Sequence, residues 1–470
     1  MPIREARKTK IVCTIGPASG NPKMIDRLIR AGMNVARLNF SHGTHDEHRE
    51  KLRIIRAAAK KLGRPVAVMQ DLAGPKVRTG KIDGAGIPVK SGATVVLSGR
   101  RRNGAIFVSH PRLAQDVKVG DQVLLADGVI ELRVEKIEGD LVECRVVVGG
   151  TIGSHKGVNV PSEALSVKVL TDKDRADLEF ALAEEIDFIA LSFVRSAEDV
   201  LRVKRIIKKR GKEVPVIAKI EKPQAVETID GIIASSDGIM VARGDLGVEI
   251  PLEQVPLVQK MLIRKANQAG KPVITATQMM RSMVDNPRPT RAEVADVANA
   301  IWEGTDAVML SEETAVGEYP TEAVEVMCRV AKTVERDMLS APLRPPFPAD
   351  DPIPDSISYS AYLMAENLHT RAIVAPTRSG VTARRISRYR PDPVIVALTP
   401  SVETQRRLCL SWGVVPVLCE DLHDPNTIIE QSMGWARRCL PLKKGDRIII
   451  TAGAALDGHG ATDTIRLEEI

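Results

Sequence analysis

At 470 residues the chain exceeds what one ordinary hydrophobic core holds, and two to four domains are expected. A hydrophobic share of 44% with 27% charged residues is that of a soluble globular protein, and no apolar run nears the roughly 18 residues that span a bilayer. The net charge of +7 would suit a nucleic-acid partner, but cations and acids are interspersed and aromatics are only 3%, too few for base stacking; neither nucleic acid nor membrane is expected as a partner.

In chain order, the basic start Met1–Lys10 is followed by Ile11–Ile15, an apolar run too short for a signal peptide and suited to a buried strand. Seven similar runs follow: Asn34–Phe40, Val66–Asp71, Asp187–Phe193, Pro215–Glu221, Gly238–Val241, Pro272–Thr277 and Asp306–Ser311. Stretches with helical periodicity lie between most of them, at Asp26–Ala31, His45–Lys61, Ala197–Lys209, Leu252–Ala269 and Arg291–Trp302. The last opens with a capping-box pattern, Thr290 to Glu293. Buried strands alternating with helices predict a parallel sheet, and eight such units predict a closed (β/α)8 barrel.

More than a hundred residues separate Asp71 from Asp187, far beyond a normal βα connection. Within them Ala93–Ser98, Ile106–Ser109, Asp121–Leu125, Val129–Ile137 and Leu141–Val148 read as strands punctuated by Gly-Asp and Asp-Gly turns. A small β-barrel domain over 72–168 is therefore expected to interrupt a barrel built from 1–71 and 169–340, placed as a lid on its rim. A Pro-rich bridge, Ala341–Pro354, reads as a linker to a third domain over 341–470. There helices alternate with Arg371–Thr377, Pro393–Thr399, Gly413–Cys419 and Asp446–Thr451, the pattern of an open α/β domain. Six cysteines without C-x-x-C spacing favour a reducing, cytoplasmic setting.

Polar residues gather at the C-terminal ends of the eight runs: Thr14; Arg37, Asn39, Ser41 and His42; Asp71; Ser192; Lys219 and Glu221; Arg243 and Asp245; Thr277; Ser311 and Glu312. That is the rim on which (β/α)8 active sites lie. Glu221 and Asp245 are hard oxygen ligands suited to Mg2+, with Mn2+ as a substitute, while Lys219 and Arg243 can balance negative charge beside them. The set suits phosphoryl transfer on a small anionic substrate. Both acids can equally be ion-pair partners of those two cations.

The motifs A-R-L-N-F-S-H-G (Ala36–Gly43), A-K-I-E-K (Ala218–Lys222), M-V-A-R-G-D-L-G (Met240–Gly247), T-A-T-Q-M-M (Thr275–Met280), Asn286–Ala300 and Ala307–Ala315 together resemble pyruvate kinase, in order along essentially the whole chain. The resemblance implies transfer of phosphate from phosphoenolpyruvate to ADP, then protonation of enolpyruvate to pyruvate. It implies Lys219, Arg37 and Thr277 as catalytic residues, with Glu221 and Asp245 holding the divalent metal on the substrate. Gly244 and Thr277 would bind the carboxylate. Arg78 and Lys156, with Asn39 and His42, would face the nucleotide, although His42 can also simply cap its loop.

In the family a K+ ion is held by residues matching Asn39, Ser41, Asp71 and a threonine after that aspartate. Here Leu72 stands at the threonine position and Lys76 where K+-requiring members carry glutamate. An ammonium group is a compact monovalent cation, so Lys76 is expected to replace K+, which is then not required. The turn Thr377-Arg378-Ser379-Gly380-Val381-Thr382 resembles the family's effector phosphate loop. The later loop, Ala454–Thr464, has two aspartates and no lysine or arginine, so a sugar monophosphate or AMP is expected as effector rather than a bisphosphate. The resemblance also implies a homotetramer. Two other classes of function remain at this point: a Mg2+-dependent lyase or aldolase on pyruvate or phosphoenolpyruvate, which needs no inserted domain, and a non-catalytic metabolite-binding relative.

Overall fold

The computed structural model describes residues 7–126, 128–160, 169–338, 352–419, 428–453 and 462–470. Each of the eight apolar runs is a strand: Lys10–Thr14, Val35–Asn39, Ala67–Asp71, Phe188–Leu191, Val216–Ile220, Gly238–Ala242, Val273–Ala276 and Ala307–Leu310. All pair in parallel, and the last closes onto the first to complete the barrel. Inward side chains such as Val35, Met69, Ile217, Met240 and Met309 fill its interior, while the opposite face of every strand packs under the helices. Such double burial explains why the strands are continuous apolar runs without alternation.

Helices His45–Leu62, Ala197–Lys209 and Arg291–Trp302 lie where periodicity predicts them, and Thr290 and Glu293 form both bonds of the capping box. The stretch Leu252–Ala269 is divided, with a 3-10 turn over Leu252–Gln254 before the helix Val255–Gln268, because Pro256 can occupy only its first turn. Besides several short helices, the two long helices Asp172–Ala183 and Pro320–Met338 carry no prior expectation. In the first, Asp174 and Asp177 are buried, which masks the apolar stripe.

The inserted β-domain curls a six-stranded sheet around its own core, including Leu97, Val123, Leu132, Val142 and Val146. A two-stranded sheet, Ile87–Val89 with Gly150–Ile152, adds to it. Its return to the barrel runs through residues 161–168, outside the described residues. Most of the expected bridge Ala341–Pro354 also lies outside them, but the helix Pro352–Asn367 starts within it. Proline fits a first helical turn, whose N–H groups lack intrahelical partners. The C-terminal sheet is parallel over the four predicted strands, and a fifth, Thr464–Glu469, adds antiparallel to Arg447–Ala452 as an edge.

This C-terminal domain seals the floor of the barrel. Cys409 and Leu410 join the side chains of the barrel interior. Arg390 reaches Asp306 at 2.9 Å and the Gly304 carbonyl at 2.6 Å, and the Lys10 ammonium donates to the Val414 carbonyl at 2.6 Å. The upper rim is left open for the strand ends and the inserted domain. Among the described residues no helix is long and apolar enough to cross a membrane.

Candidate active site

Three strand ends meet at Asp71, the last residue of the third barrel strand. Arg37, from the neighbouring strand, donates its Nε to Asp71 Oδ2 at 2.6 Å and its Nη1 to Thr14 Oγ1 at 2.9 Å. Lys219 lies 3.2 Å from the other Asp71 oxygen and 2.8 Å from Glu221 Oε1, and it donates to Ser192 Oγ at 2.7 Å. Burial works against charge on both Asp71 and Lys219, yet each holds the other ionised. The Asp71 carboxyl is held below its ordinary value by Lys219 and Arg37, and the Lys219 ammonium above its own by Asp71 and Glu221. Lys219 is therefore charged at neutral pH.

Glu221 follows the fifth strand, and its second oxygen accepts the Phe193 N–H at 2.8 Å. Phe193 turns through positive φ (56°) to present that N–H, and Gly74 must be glycine beside it: its own φ is +65° and a Cβ would lie 2.6 Å from the Phe193 ring. Burial raises the Glu221 pKa; Lys219 opposes the rise and the Asp245 charge adds to it. Asp245, in the first turn of the short helix Arg243–Glu249, is 3.1 Å from the Lys76 ammonium. Two hard carboxylates that repel each other in a partly dry setting fit a divalent cation of the Mg2+ type. Among the described residues no three His, Cys, Asp or Glu side chains cluster for a metal, so further ligands would come from substrate and water.

These residues line a cleft of about 450 Å³ together with Asn39, Ser41, His42, Leu72 and Glu312, and the inserted domain supplies Arg78, Ser154, His155, Lys156 and Gly157 as the facing wall. Arg78 and Lys156 are brought together by the segment pairing: Arg78 Nη1 donates to the His155 carbonyl at 3.2 Å and Thr79 N–H to the Lys156 carbonyl at 2.8 Å. The His42 pKa is lowered by burial and then by Arg78 and Arg37, which favours a neutral ring. Asn39 Oδ1 accepts the Ser41 N–H at 3.1 Å and so shapes the loop between them.

Gly244 and Thr277 do not line this cleft wall; the Gly244 N–H donates to Thr277 Oγ1 at 2.7 Å, so the two groups satisfy each other. Arg243 departs from expectation. Its guanidinium turns away from both carboxylates, to Asp296 at 2.7 Å and to the Thr277 carbonyl at 2.8 Å, where it supports the positive-φ turn of Thr277 and Gln278. Buried Glu313 braces the same region through the N–H groups of Met280 and Ser311, at 3.0 and 2.7 Å. Sequence reading passed over Glu313 and His155; an acid beside Glu312 inside a strand-end motif was the available signal for the first.

The loop Thr377–Thr382 lies in the C-terminal domain, away from this cleft. Thr377 Oγ1 accepts the Gly380 N–H at 2.9 Å, the Arg378 carbonyl accepts from Thr404, and Thr382 Oγ1 lies 2.6 Å from Thr462 Oγ1. Ser379 lies on the side that faces the barrel. Most of the facing loop, 454–461, is outside the described residues.

Residues 6–324 match the family model described as pyruvate kinase, barrel domain, and residues 355–468 match the pyruvate kinase alpha/beta domain. The chain belongs to the pyruvate kinase family. It is 46% identical to pyruvate kinase 2 of Synechocystis sp., covering 99% of this chain and 79% of that one. Identity to the pyruvate kinase of Clostridium perfringens is 43%, over 99% of this chain and all of the relative. A crystal structure of a pyruvate kinase from Cryptosporidium parvum superposes with a TM-score of 0.91 at 39% identity, covering 98% of this chain and 96% of that one.

Proposed function

We propose that this member of the family transfers the phosphoryl group of phosphoenolpyruvate to ADP, giving ATP and, after protonation of the enol, pyruvate. The observation that carries the reading is Lys219, a buried ammonium set between Asp71 and Glu221 on the wall of a cleft that also presents Arg37, Arg78 and Lys156. Phosphoryl transfer asks the protein for positioning and for cations facing the moving charge, which this cleft supplies.

In the reaction the bond from phosphorus to the enol oxygen breaks and a bond to an ADP β-phosphate oxygen forms. Lys219 faces the charge that builds on the phosphoryl group, and Arg37 holds that group from the side as a fork donor. For the substrate carboxylate the Gly244 N–H gives up its bond to Thr277 Oγ1 and the Thr277 hydroxyl its bond to the Ala276 carbonyl, and Thr277 sits beside the path of the proton that reaches the enol carbon. Arg78, Lys156, Asn39 and His42 receive the nucleotide, with the inserted domain closing over it. Glu221 and Asp245 hold Mg2+, which the family generally requires, or Mn2+; when bound, the ion neutralises phosphate charge.

Lys76 stands in for K+. It reaches the cleft and pairs with Asp245, and Leu72 offers no hydroxyl to a monovalent ion. A K+ held by Asn39, Ser41 and Asp71 would share that cleft with the Lys76 charge. The effector is a sugar monophosphate or AMP at Thr377, Arg378, Ser379, Gly380 and Thr382, and the active form is a homotetramer in the cytoplasm. Activation by ribose 5-phosphate or AMP supports the effector assignment; strong activation by fructose 1,6-bisphosphate with no response to either overturns it.

The deciding assay couples pyruvate to lactate dehydrogenase. Pyruvate should form only when phosphoenolpyruvate, ADP and Mg2+ are all present. Pyruvate formed without ADP would instead favour the metal-dependent lyase or aldolase, which identity along the whole chain does not favour.

A further inference from the structure

A second cationic cleft, of about 300 Å³, lies beneath the barrel where its floor meets the C-terminal domain. The barrel contributes Asp237 and Lys271, and the C-terminal domain contributes Asp355, Arg384, Arg385, Arg388 and Arg407. Five cations thus face two carboxylates, and both carboxylates are already engaged. Asp355 lies 3.3 Å from Arg385 and 3.1 Å from Arg388. Asp237 takes Lys204 at 2.9 Å and the Val216 N–H at 2.8 Å. Lys271 is directed to backbone carbonyls at the end of helix Ile229–Ser235, including Ser236 at 2.6 Å.

Arg384 and Arg407 are what remains. Neither lies within ion-pair distance of a carboxylate among the described residues; Arg384 reaches only the Ser379 carbonyl, at 3.3 Å, and Arg407 only the Glu213 carbonyl. The buried Arg407 Nε has no hydrogen-bond partner. The enclosure of Arg384 lowers its pKa, Asp237 offsets part of that, and the charges of Arg407 and Arg385 lower it further. A partly buried guanidinium with more cations than carboxylates around it is costly.

We propose that Arg384 and Arg407 form a binding site for a small phosphate-bearing anion in the cleft between the barrel floor and the C-terminal domain. Guanidinium forks match phosphate oxygens two at a time, and the cleft admits a phosphate or a small monoester. The site is separate from the active cleft, with which it shares no lining residue, and it meets the effector loop from the barrel side, at Ser379 and Val381, away from the face where Thr382 meets Thr462.

The test is equilibrium dialysis with labelled inorganic phosphate on the full chain. An Arg37→Met background removes the phosphate contact of the active cleft, and Thr382→Val in the same chain silences the effector loop. Adding Arg384→Met and Arg407→Met should weaken the remaining phosphate binding at least tenfold. Unchanged binding, or phosphate displaced as readily by equal chloride, overturns the site. Should the double arginine variant fail to fold by circular dichroism, Arg407→Lys keeps the charge and loses the fork; binding at least threefold weaker supports the site, and equal binding overturns it.

Discussion

The ammonium of Lys76, at the start of the inserted domain, lies 3.1 Å from the Asp245 carboxylate on the opposite side of the cleft. A monovalent charge from the chain itself thus sits beside one of the two carboxylates proposed to hold Mg2+. Rates in tetramethylammonium buffer should be little changed by KCl. Lys76→Glu should lower the K+-free rate by tenfold or more and make the enzyme respond to K+. Large activation of the unaltered chain by K+ would refute this.

Lys219→Met should reduce kcat by several orders of magnitude with a much smaller change in KM for phosphoenolpyruvate, because its charge acts mainly on the transition state. Steady-state kinetics in the coupled assay decide the matter. A variant with near-normal kcat would leave Lys219 as only the counter-ion of Asp71 and Glu221.

Gly74→Ala should cost about 1 to 3 kcal/mol, since alanine is strained at φ +65° and its methyl would press on the Phe193 ring. Because Phe193 donates to Glu221, activity should fall further than stability alone predicts. Thermal melting and kcat, measured on one preparation, separate the two losses.

Lys10 is buried at the barrel floor, and burial, with Arg7 next, lowers its pKa from 10.5 to about 8, against Cys409, Glu335 and Asp306, which raise it. Below pH 8 the lysine is charged in both folded and unfolded chains, and the penalty on the fold is fully present. Between 8 and 10.5 the unfolded chain keeps a proton the folded one has released, so this group's contribution to stability rises with pH. Lys10→Met should therefore stabilise the protein at pH 7 by about 2 kcal/mol, after about 1 kcal/mol is lost with the bond to Val414. The gain should shrink as pH approaches 10; a gain independent of pH would mean that folding leaves the Lys10 pKa unshifted.

The barrel was legible because each strand is buried on both faces and leaves an unbroken apolar run, with its polar residues at one end. The residues at those ends, Arg37, Asp71, Lys219, Glu221 and Asp245, do converge, since parallel register places all strand ends on one rim. What stayed hidden depended on side-chain direction. Arg243 follows the sixth strand as closely as Lys219 ends the fifth, yet it points under the Thr277 turn because Asp296 offers a carboxylate there. The edge strand Thr464–Glu469 gave little apolar signal, being exposed along most of its length. The helix Asp172–Ala183 was obscured by two buried aspartates that combine local and distant partners, Thr171 and the Gly74 N–H for Asp174, and Lys173 and His45 for Asp177.

The floor of the barrel is finished by Cys409 and Leu410, while the last barrel strand ends at Leu310. During synthesis the closed ring can form only after that strand emerges, and its seal arrives 99 residues later (409 minus 310). At ribosomal rates of about 5 to 20 residues per second, the interval is on the order of 5 to 20 s. Throughout that time the nascent chain carries an apolar opening at the base of an otherwise complete ring, a period in which contact with another unfinished chain competes with its own C-terminal domain.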